Sequence, residues 1–421
     1  FARSYGPGRY ERSYEDWAVD YPIGQVRWSE GRNLAAFLGL LASKRLQVED
    51  LITHRFPFQD AENAYGTLAD SSASYLGIEL VYPKERSARL RPPTPPLRSR
   101  TGEGIGIIGA GNFATGVLVP ALKEAGLTDF VAVTSAKGLS ARQLAKSTSF
   151  QRVAVDAKAV VADPGVDIVV IASPHDTHSG FAIDALNAGK HVFCEKPLAT
   201  TMDDLKSVTD TWRRTGGHLM VGFNRRHSPA VARAREVLGR LGDPLVITIR
   251  VNAGSLPSAH WYHDRRQGGR VLGEVCHFVD TASALTGTRV ARVAALGSGR
   301  GEALLDEDVG LLAQYADGSV ATIAYAAGGH PAAPKERIEI LGRGHSVVID
   351  DFNELVIDAR RERLPGGQNK GHAAQLVTFR SACQYGGDAG ATEACLHSMQ
   401  TTLAAVQALL QGVTVNVAEP R

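Results

Sequence analysis

The sequence predicts an α/β fold: a doubly wound parallel sheet with helices on both faces, followed by a second α/β domain with a large, mostly antiparallel, open-faced sheet. Three observations predict it. From residue 104 to 223, short apolar runs alternate with stretches of helical apolar spacing. A glycine turn, GAGNFA (Gly109 to Ala114), joins the first run to the first helical stretch. Beyond Asn224 the pattern changes to strand-like runs separated by hairpin-type turns.

The elements follow in chain order. Residues 1–82 carry a helix-like stretch, NLAAFLGLLASKRL, whose Leu34, Phe37, Leu38 and Leu41 share one broad apolar face. Residues 83–103 read as a linker, because Pro92, Pro93, Pro95 and Pro96 favour an extended chain and the interleaved arginines keep it solvated. Then come the runs GIGII, FVAVTS, VDIVVIASP, HVFCE and LMVGFN as strands, with helices such as ATGVLVPALKEAG and HSGFAIDALNAGK between them, each ending at Gly. Residues 224–421 form the second domain: PLVITIRVNAG, RVARVAALGSG, VGLLAQYADGSVATIAYAAG, ERIEILGRGHSVVIDD and NELVIDAR read as strands, with a hairpin turn at Ala316–Ser319. A helix near His372–Gly387 and another ending near Gly412 close the chain.

Composition excludes several classes. Lys and Arg number 46 against 44 Asp and Glu, a balance that argues against a nucleic-acid-binding surface. No apolar stretch approaches the length of a membrane span. The four cysteines, Cys194, Cys276, Cys383 and Cys395, are scattered, which fits a reduced cytoplasm with neither a disulfide framework nor a zinc site.

The chemistry concentrates at strand ends. In GAGNFA, Gly109, Gly111, Asn112, Phe113 and Ala114 permit a tight turn and close approach of a pyrophosphate to a helix N-terminus. The end of the second strand carries Thr134, Ser135, Lys137 and Arg142 and lacks the acid that grips the ribose in many NAD sites. Loss of that carboxylate removes repulsion toward a 2′-phosphate, so NADP(H) is favoured over NAD(H). Ser173, Pro174, His175 and His178 lie at the carboxyl end of the third strand, where ligands bind in open α/β sheets. His178 reads equally as a cofactor contact or as a first-turn helix residue held by backbone. HVFCEKPLAT ends the fourth strand with Glu195 and Lys196 against Pro197. A lysine there is costly unless paired or used, and desolvation gives it a reason to lower its pKa.

Taken together, GIGIIGAGNFA, IASPHDTHSGFAIDALNAGKHVFCEKPLAT, VGFNRRHSP and GGRVLGEVCHFVD resemble the glucose–fructose oxidoreductase / inositol dehydrogenase family, Gfo/Idh/MocA, from about Ile105 to Val417. The resemblance implies a Rossmann domain, a cytoplasmic homo-oligomer (dimer or tetramer), and an enzyme moving a hydride between nicotinamide and a carbinol carbon of a sugar, polyol or sugar-derived small molecule. It implies that Lys196 hydrogen-bonds the reacting oxygen, that Glu195 lies near the cofactor ribose, and that His277 is the general acid/base. The family commonly has Asp four residues before that histidine; here the position is Gly273. Glu274 and Asp280, each three residues from His277, fall near one helical face, so Glu274 is the expected orienting carboxylate and third catalytic residue. Imine reduction, and a non-catalytic ligand-binding subunit lacking the acid at 273, are the alternatives. His260, Trp261, Tyr262 and His263 suit a sugar ring, with apolar faces to stack and polar tips to bond hydroxyls; their spacing is poor for a metal. Arg225 and Arg226 read either as anion binders for substrate or as interdomain ion-pair residues.

Residues 1–82, chiefly through LITHRFPFQDAENAY, resemble the C-terminal end of medium-chain, alcohol-dehydrogenase-like reductases, which makes the chain a fusion of two oxidoreductase types.

Overall fold

The computed structural model of the 421-residue chain describes residues 6–8, 14, 20–70, 72–82, 102–136, 138–239, 242–257, 260–299, 302–364, 366–387 and 389–417. Most of the expected linker and Lys137 lie outside the described residues. The chain divides into two compact units, residues 1–94 and 95–421.

In the first unit, α1 (Glu30–Ala42) precedes a strand β1 (Ile52–Pro57), a helix α2 (Ala61–Ala69) and a strand β2 (Gly77–Val81). β1 and β2 pair in parallel, with Phe56 opposite Leu80. Leu34, Phe37 and Leu38 of α1 are exposed, and the helix has no buried residue.

The second unit begins with a six-stranded parallel sheet in the order β5-β4-β3-β6-β7-β8. Its strands are β3 (Ile105–Ile108), β4 (Phe130–Thr134), β5 (Arg152–Val153), β6 (Ile168–Ile171), β7 (His191–Cys194) and β8 (Leu219–Val221). Every residue of β3, β4 and β6 is buried, the signature of strands covered on both faces. Alternation sorts them: Val169 and Ile171 join one core, Ile168 and Val170 the other. The helices between them are α3 (Val119–Glu124), α4 (Leu139–Thr148), α5 (Ala157–Val161), α6 (His178–Asn187) and α7 (Met202–Thr215). A π-helical turn, Ala114–Leu118, leads into α3. Pro120 in that first turn has no N–H for the carbonyl four residues back, which accounts for the wider turn before it. α7 is bounded by its own chemistry: Thr201 caps the Asp204 amide at 3.1 Å, and Gly216 ends it at φ +68°.

After α8 (Pro229–Leu238) the chain builds a nine-stranded mixed sheet in the order β16-β15-β14-β13-β9-β12-β11-β10-β17. Its central members are β9 (Val246–Asn252), β12 (Val320–Ala326) and β13 (Glu336–Gly342), flanked by β10 (Val290–Gly297), β11 (Val309–Tyr315) and β14 (His345–Asp350), with β15 (Glu354–Ile357), β16 (Arg360–Arg363) and β17 (Val415–Asn416) at the edges. β9 pairs in parallel with β12, and the other pairings are antiparallel. One face is buried in alternating register, as in β12, where Ala321, Ile323 and Tyr325 point inward. The other face is open and carries Val246, Leu296, Leu312 and Leu341, all exposed. Between β9 and β10 a π-helical turn, Val271–Val275, runs into α9 (Cys276–Thr286). Two closing helices, α10 (His372–Tyr385) and α11 (Ala389–Gln411), complete the unit, and α11 buries more of its length than any periodicity in its sequence suggests.

Candidate active site

A cavity of about 880 Å³ runs along the carboxyl ends of β3, β4, β6 and β7. At one end lies the glycine turn. Gly109 has φ +104°, and a Cβ there would stand 2.2 Å from the Ala172 carbonyl oxygen, so only glycine fits. Gly111 is the opposite case: no heavy atom lies within 4 Å of where its Cβ would be, and the space belongs to the cavity. Ala114, third in the motif, is buried and lets the helix start pack closely against the sheet. Asn112 and Phe113 also line the cavity. A bare turn, a helix start presenting unpaired amides and an open trough fit the pyrophosphate of a dinucleotide.

The rim of the cavity at β4 holds Thr134 and Ser135. The Ser135 hydroxyl accepts from Ser140 Oγ at 2.9 Å and from the Ala141 amide at 3.2 Å. Arg142 is exposed on α4 and is not among the residues lining the cavity. Asp156, which lines it, caps α5 through the Ala159 amide at 2.7 Å.

Farther along, Ser173, Pro174, His175 and His178 line the cavity after β6. His178 is held by backbone, as one of its two readings has it, and it also lines the cavity. Its Nδ1 lies 2.8 Å from the Pro197 carbonyl and its Nε2 2.8 Å from the Ser173 carbonyl; burial favours the neutral ring, whose single N–H donates to one of these two loops while packing against the other. His175 is buried, its Nδ1 lying 2.8 Å from the Gln267 carbonyl, and burial with the nearby Lys196 charge lowers it to about 3.

Glu195 and Lys196 sit at the end of β7, before a cis Lys196–Pro197 peptide. Glu195 is 8% exposed, and burial, only partly offset by Lys196, raises its carboxyl to about 7. Lys196 donates to the Gly273 carbonyl at 2.7 Å. The expectation of a lowered lysine pKa is corrected. Burial pulls it down, but the acidic groups around it, the Glu195 and Glu274 carboxylates among them, draw it above its ordinary value, and the ammonium stays charged.

His277 lies in the first turn of α9, half-buried, with its ring edge-on to Phe223 at 6.1 Å. Its Nδ1 has no hydrogen-bond partner in the protein. Burial and the charges of Arg225, Lys196, His372 and Lys370 push it well below its ordinary value, so it is a neutral base. It is not among the residues that line the cavity, although Lys196 acts on it.

Glu274 is placed differently from the expectation. Its carboxylate accepts from Tyr325 Oη at 2.7 Å, and Arg270 stands 3.9 Å away. It belongs to that Arg–Tyr–Glu cluster rather than to the His277 imidazole. Three-residue spacing assumes an α-helix, and Glu274 lies in the π-helical turn, where the angle per residue is smaller.

Both arginines are ion-paired, within residues 224–421 rather than between domains. Arg226 forms a two-point ion pair with fully buried Asp280, at 2.8 and 2.5 Å, which leaves neither for a substrate. Arg225 pairs in the same way with fully buried Glu336, at 2.8 Å through both nitrogens. Lys370 adds a third contact at 2.8 Å. Burial would raise Glu336, but these two cations hold it at about 2. Of the aromatic cluster, Trp261 and Tyr262 line the cavity. Trp261 is 45% exposed and lies edge-on to His175 at 4.6 Å. His260 instead caps the Tyr262 amide at 3.2 Å, and the His263 Nε2 is buried without a partner. Among the described residues no group of three or more His, Cys, Asp or Glu could hold a metal ion, and no helix is long and apolar enough to cross a membrane.

A dinucleotide trough ending at a half-buried, charged lysine defines an NAD(P)-dependent oxidoreductase. Comparison with known proteins specifies the class. Residues 104–223 match the family model described as oxidoreductase family, NAD-binding Rossmann fold, and residues 231–348 match the GFO/IDH/MocA C-terminal domain. The chain belongs to the Gfo/Idh/MocA family. It is 30% identical over 327 residues to inositol 2-dehydrogenase 2 of Saccharopolyspora erythraea, covering 71% of this chain and 92% of that one. It is 27% identical over 264 residues to the myo-inositol 2-dehydrogenase of Thermotoga maritima, covering 60% of this chain and 77% of the relative. A levoglucosan dehydrogenase solved with NADH and levoglucosan shares the fold at TM-score 0.66 and 22% identity, covering 75% of this chain and 99% of that one. Neither imine reduction nor a non-catalytic role is supported by these comparisons.

Proposed function

We propose that this enzyme oxidises a ring carbinol of a cyclic polyol or sugar, and runs the reverse reduction. The observation that carries the reading is Lys196, a charged lysine facing the cavity beside the aromatic wall of Trp261 and Tyr262. When bound, the nicotinamide supplies the hydride acceptor. Lys196 then holds the reacting oxygen and stabilises its developing negative charge. His277, to which the family resemblance assigns the acid/base role, is neutral and is given the hydroxyl proton in this reading, although it stands behind the cavity lining rather than in it. Trp261 offers an apolar face for the ring. Inositols and levoglucosan are the first substrates to test, since similar proteins carry those names. Initial rates of NAD(P)H formation at 340 nm with myo-inositol, scyllo-inositol and levoglucosan test it. Turnover that survives Lys196→Met would overturn it.

Within this reading NADP(H) is favoured over NAD(H), because β4 ends at Thr134 and the loop residues Ser135 and Ala136 after it carry no carboxylate to repel a 2′-phosphate, while Asp156 on the same cavity is turned to cap α5. Dissociation constants for NADPH and NADH at one salt concentration decide this, and tighter NADH binding would reverse it. A cytoplasmic homo-oligomer, a dimer or tetramer, is part of the proposal; the open apolar face of the nine-stranded sheet supports association, and light-scattering mass tests it. The parallel pair β1–β2, joined through α2, supports the medium-chain-reductase reading of residues 1–82. A structure of residues 1–82 superposing on the C-terminal end of such a reductase would bear that reading out.

A further inference from the structure

Position 273, where the family resemblance expects an acid, is filled by something else. A Cβ on Gly273 would stand 2.8 Å from Tyr262 Cζ, 3.0 Å from its hydroxyl oxygen and 3.1 Å from His175 Cε1. Contacts under 3.0 Å to ring atoms are not tolerated, so any side chain at 273 must displace this phenol. Gly273 and Tyr262 are thus a coupled choice: the glycine makes the space, and the tyrosine occupies it.

The phenol is also aimed at the reacting end of the site. The Gly273 carbonyl accepts from Lys196 Nζ at 2.7 Å and from Tyr262 Oη at 3.4 Å, so two donors converge on one oxygen. Both side chains line the same cavity. The Tyr262 ring is fixed between Trp261 and His175, at centroid distances of 4.4 and 5.4 Å, and is 9% exposed. Its own hydrogen bond is long, which leaves the O–H free to turn toward a better acceptor.

We propose that Tyr262 is a catalytic residue of this enzyme, its phenol serving beside the Lys196 ammonium as the second hydrogen-bond donor to the reacting oxygen of substrate. This rests on the polyol or sugar dehydrogenase reading above. Burial keeps the phenol protonated, and Lys196 stays charged, so both remain donors through neutral pH. Two preorganised donors stabilise the oxygen as charge builds on it, while His277 takes the hydroxyl proton. The site therefore replaces a carboxylate at 273 with a neutral donor.

Two measurements test this, one of them independent of turnover. Tyr262→Phe keeps the ring and removes only the hydroxyl. In the myo-inositol, scyllo-inositol and levoglucosan assay it should lower kcat by on the order of 10²-fold with the NADH dissociation constant unchanged. A kcat within about twofold of wild type overturns the proposal. The second measurement is ¹⁹F NMR of 3-fluorotyrosine-labelled protein, with the Tyr262 resonance assigned by its loss in Tyr262→Phe. Replacing Lys196 with Met should move the ionisation of that resonance to higher pH, because a cation favouring the phenolate is gone. An unmoved titration shows that phenol and ammonium do not share a site, and the proposal falls. Absence of wild-type turnover with all three polyols would sink the dehydrogenase reading instead, and the NMR result would still decide whether Tyr262 faces Lys196.

Discussion

Between about pH 5 and 7.5 the affinity for NAD⁺ should rise with pH, and Glu195→Gln should abolish the rise. The cause is a carboxyl whose two states differ in what they can bind. Glu195 is 8% exposed, and its pKa stands at about 7 against an ordinary 4.5. Ionising it in the free protein therefore costs about 3 kcal/mol. Ribose hydroxyls donating to the carboxylate would favour the ionised form, so binding expels a proton below pH 7. If the bound pKa returns to its ordinary value, the full effect is about 300-fold in affinity, tenfold per pH unit over about 2.5 units. The window is clear of other cleft groups: burial holds His175 at about 3 and His372 at about 4, while Lys196 and Tyr262 titrate above it. NAD⁺ is the right probe, because a 2′-phosphate titrates near pH 6 itself. Calorimetry in two buffers of different ionisation enthalpy counts the protons released. The same shift acts on the free protein. The folded chain holds this proton between about 4.5 and 7, where the unfolded chain has lost it, so Glu195 removes stability as pH rises through that window. A pH-independent affinity, or a slope that persists in Glu195→Gln, would refute the reasoning.

Other perturbations follow from single contacts. Lys196→Met should lower kcat by on the order of 10²-fold or more while NADH still binds, checked by steady-state rates beside fluorescence titration. Gly109→Ala places a Cβ 2.2 Å from a backbone oxygen at φ +104°, so it should abolish NADH binding and lower the melting temperature of this unit. Asp280→Ala strands Arg226 without its partner in a buried site and should cost about 3–5 kcal/mol in denaturant unfolding, whereas Arg226→Met with Asp280→Leu should cost less.

How much of this was legible in the sequence depended on the range of the interaction. The parallel sheet was legible because short continuous apolar runs, glycine turns and helical spacing are local signals, and GAGNFA and EKP fall at strand ends. The hairpin sheet was legible through alternating apolar residues and turn residues, which are also local, while two-residue β5 was too short to leave a pattern. The site failed where partners came from afar. Arg225 and Arg226 meet acids 111 and 54 residues away, so their ion pairing could only be one of two readings. His178 is fixed by the Pro197 carbonyl across a neighbouring strand end. Glu274 failed for a different reason: an α-helical period was applied across a π-helical turn, which rotated the carboxylate toward Tyr325. Gly273 carried the clearest unused signal, since a glycine in place of an acid leaves room that some other side chain must fill.

The most direct test of the central claim is a crystal structure with NADH. The account predicts the pyrophosphate over Gly109–Ala114, the nicotinamide ribose on the Glu195 carboxylate, and nicotinamide C4 facing the space bounded by Lys196, Trp261 and Tyr262. A nicotinamide turned away from Lys196, or a cofactor seated outside this trough, would contradict it.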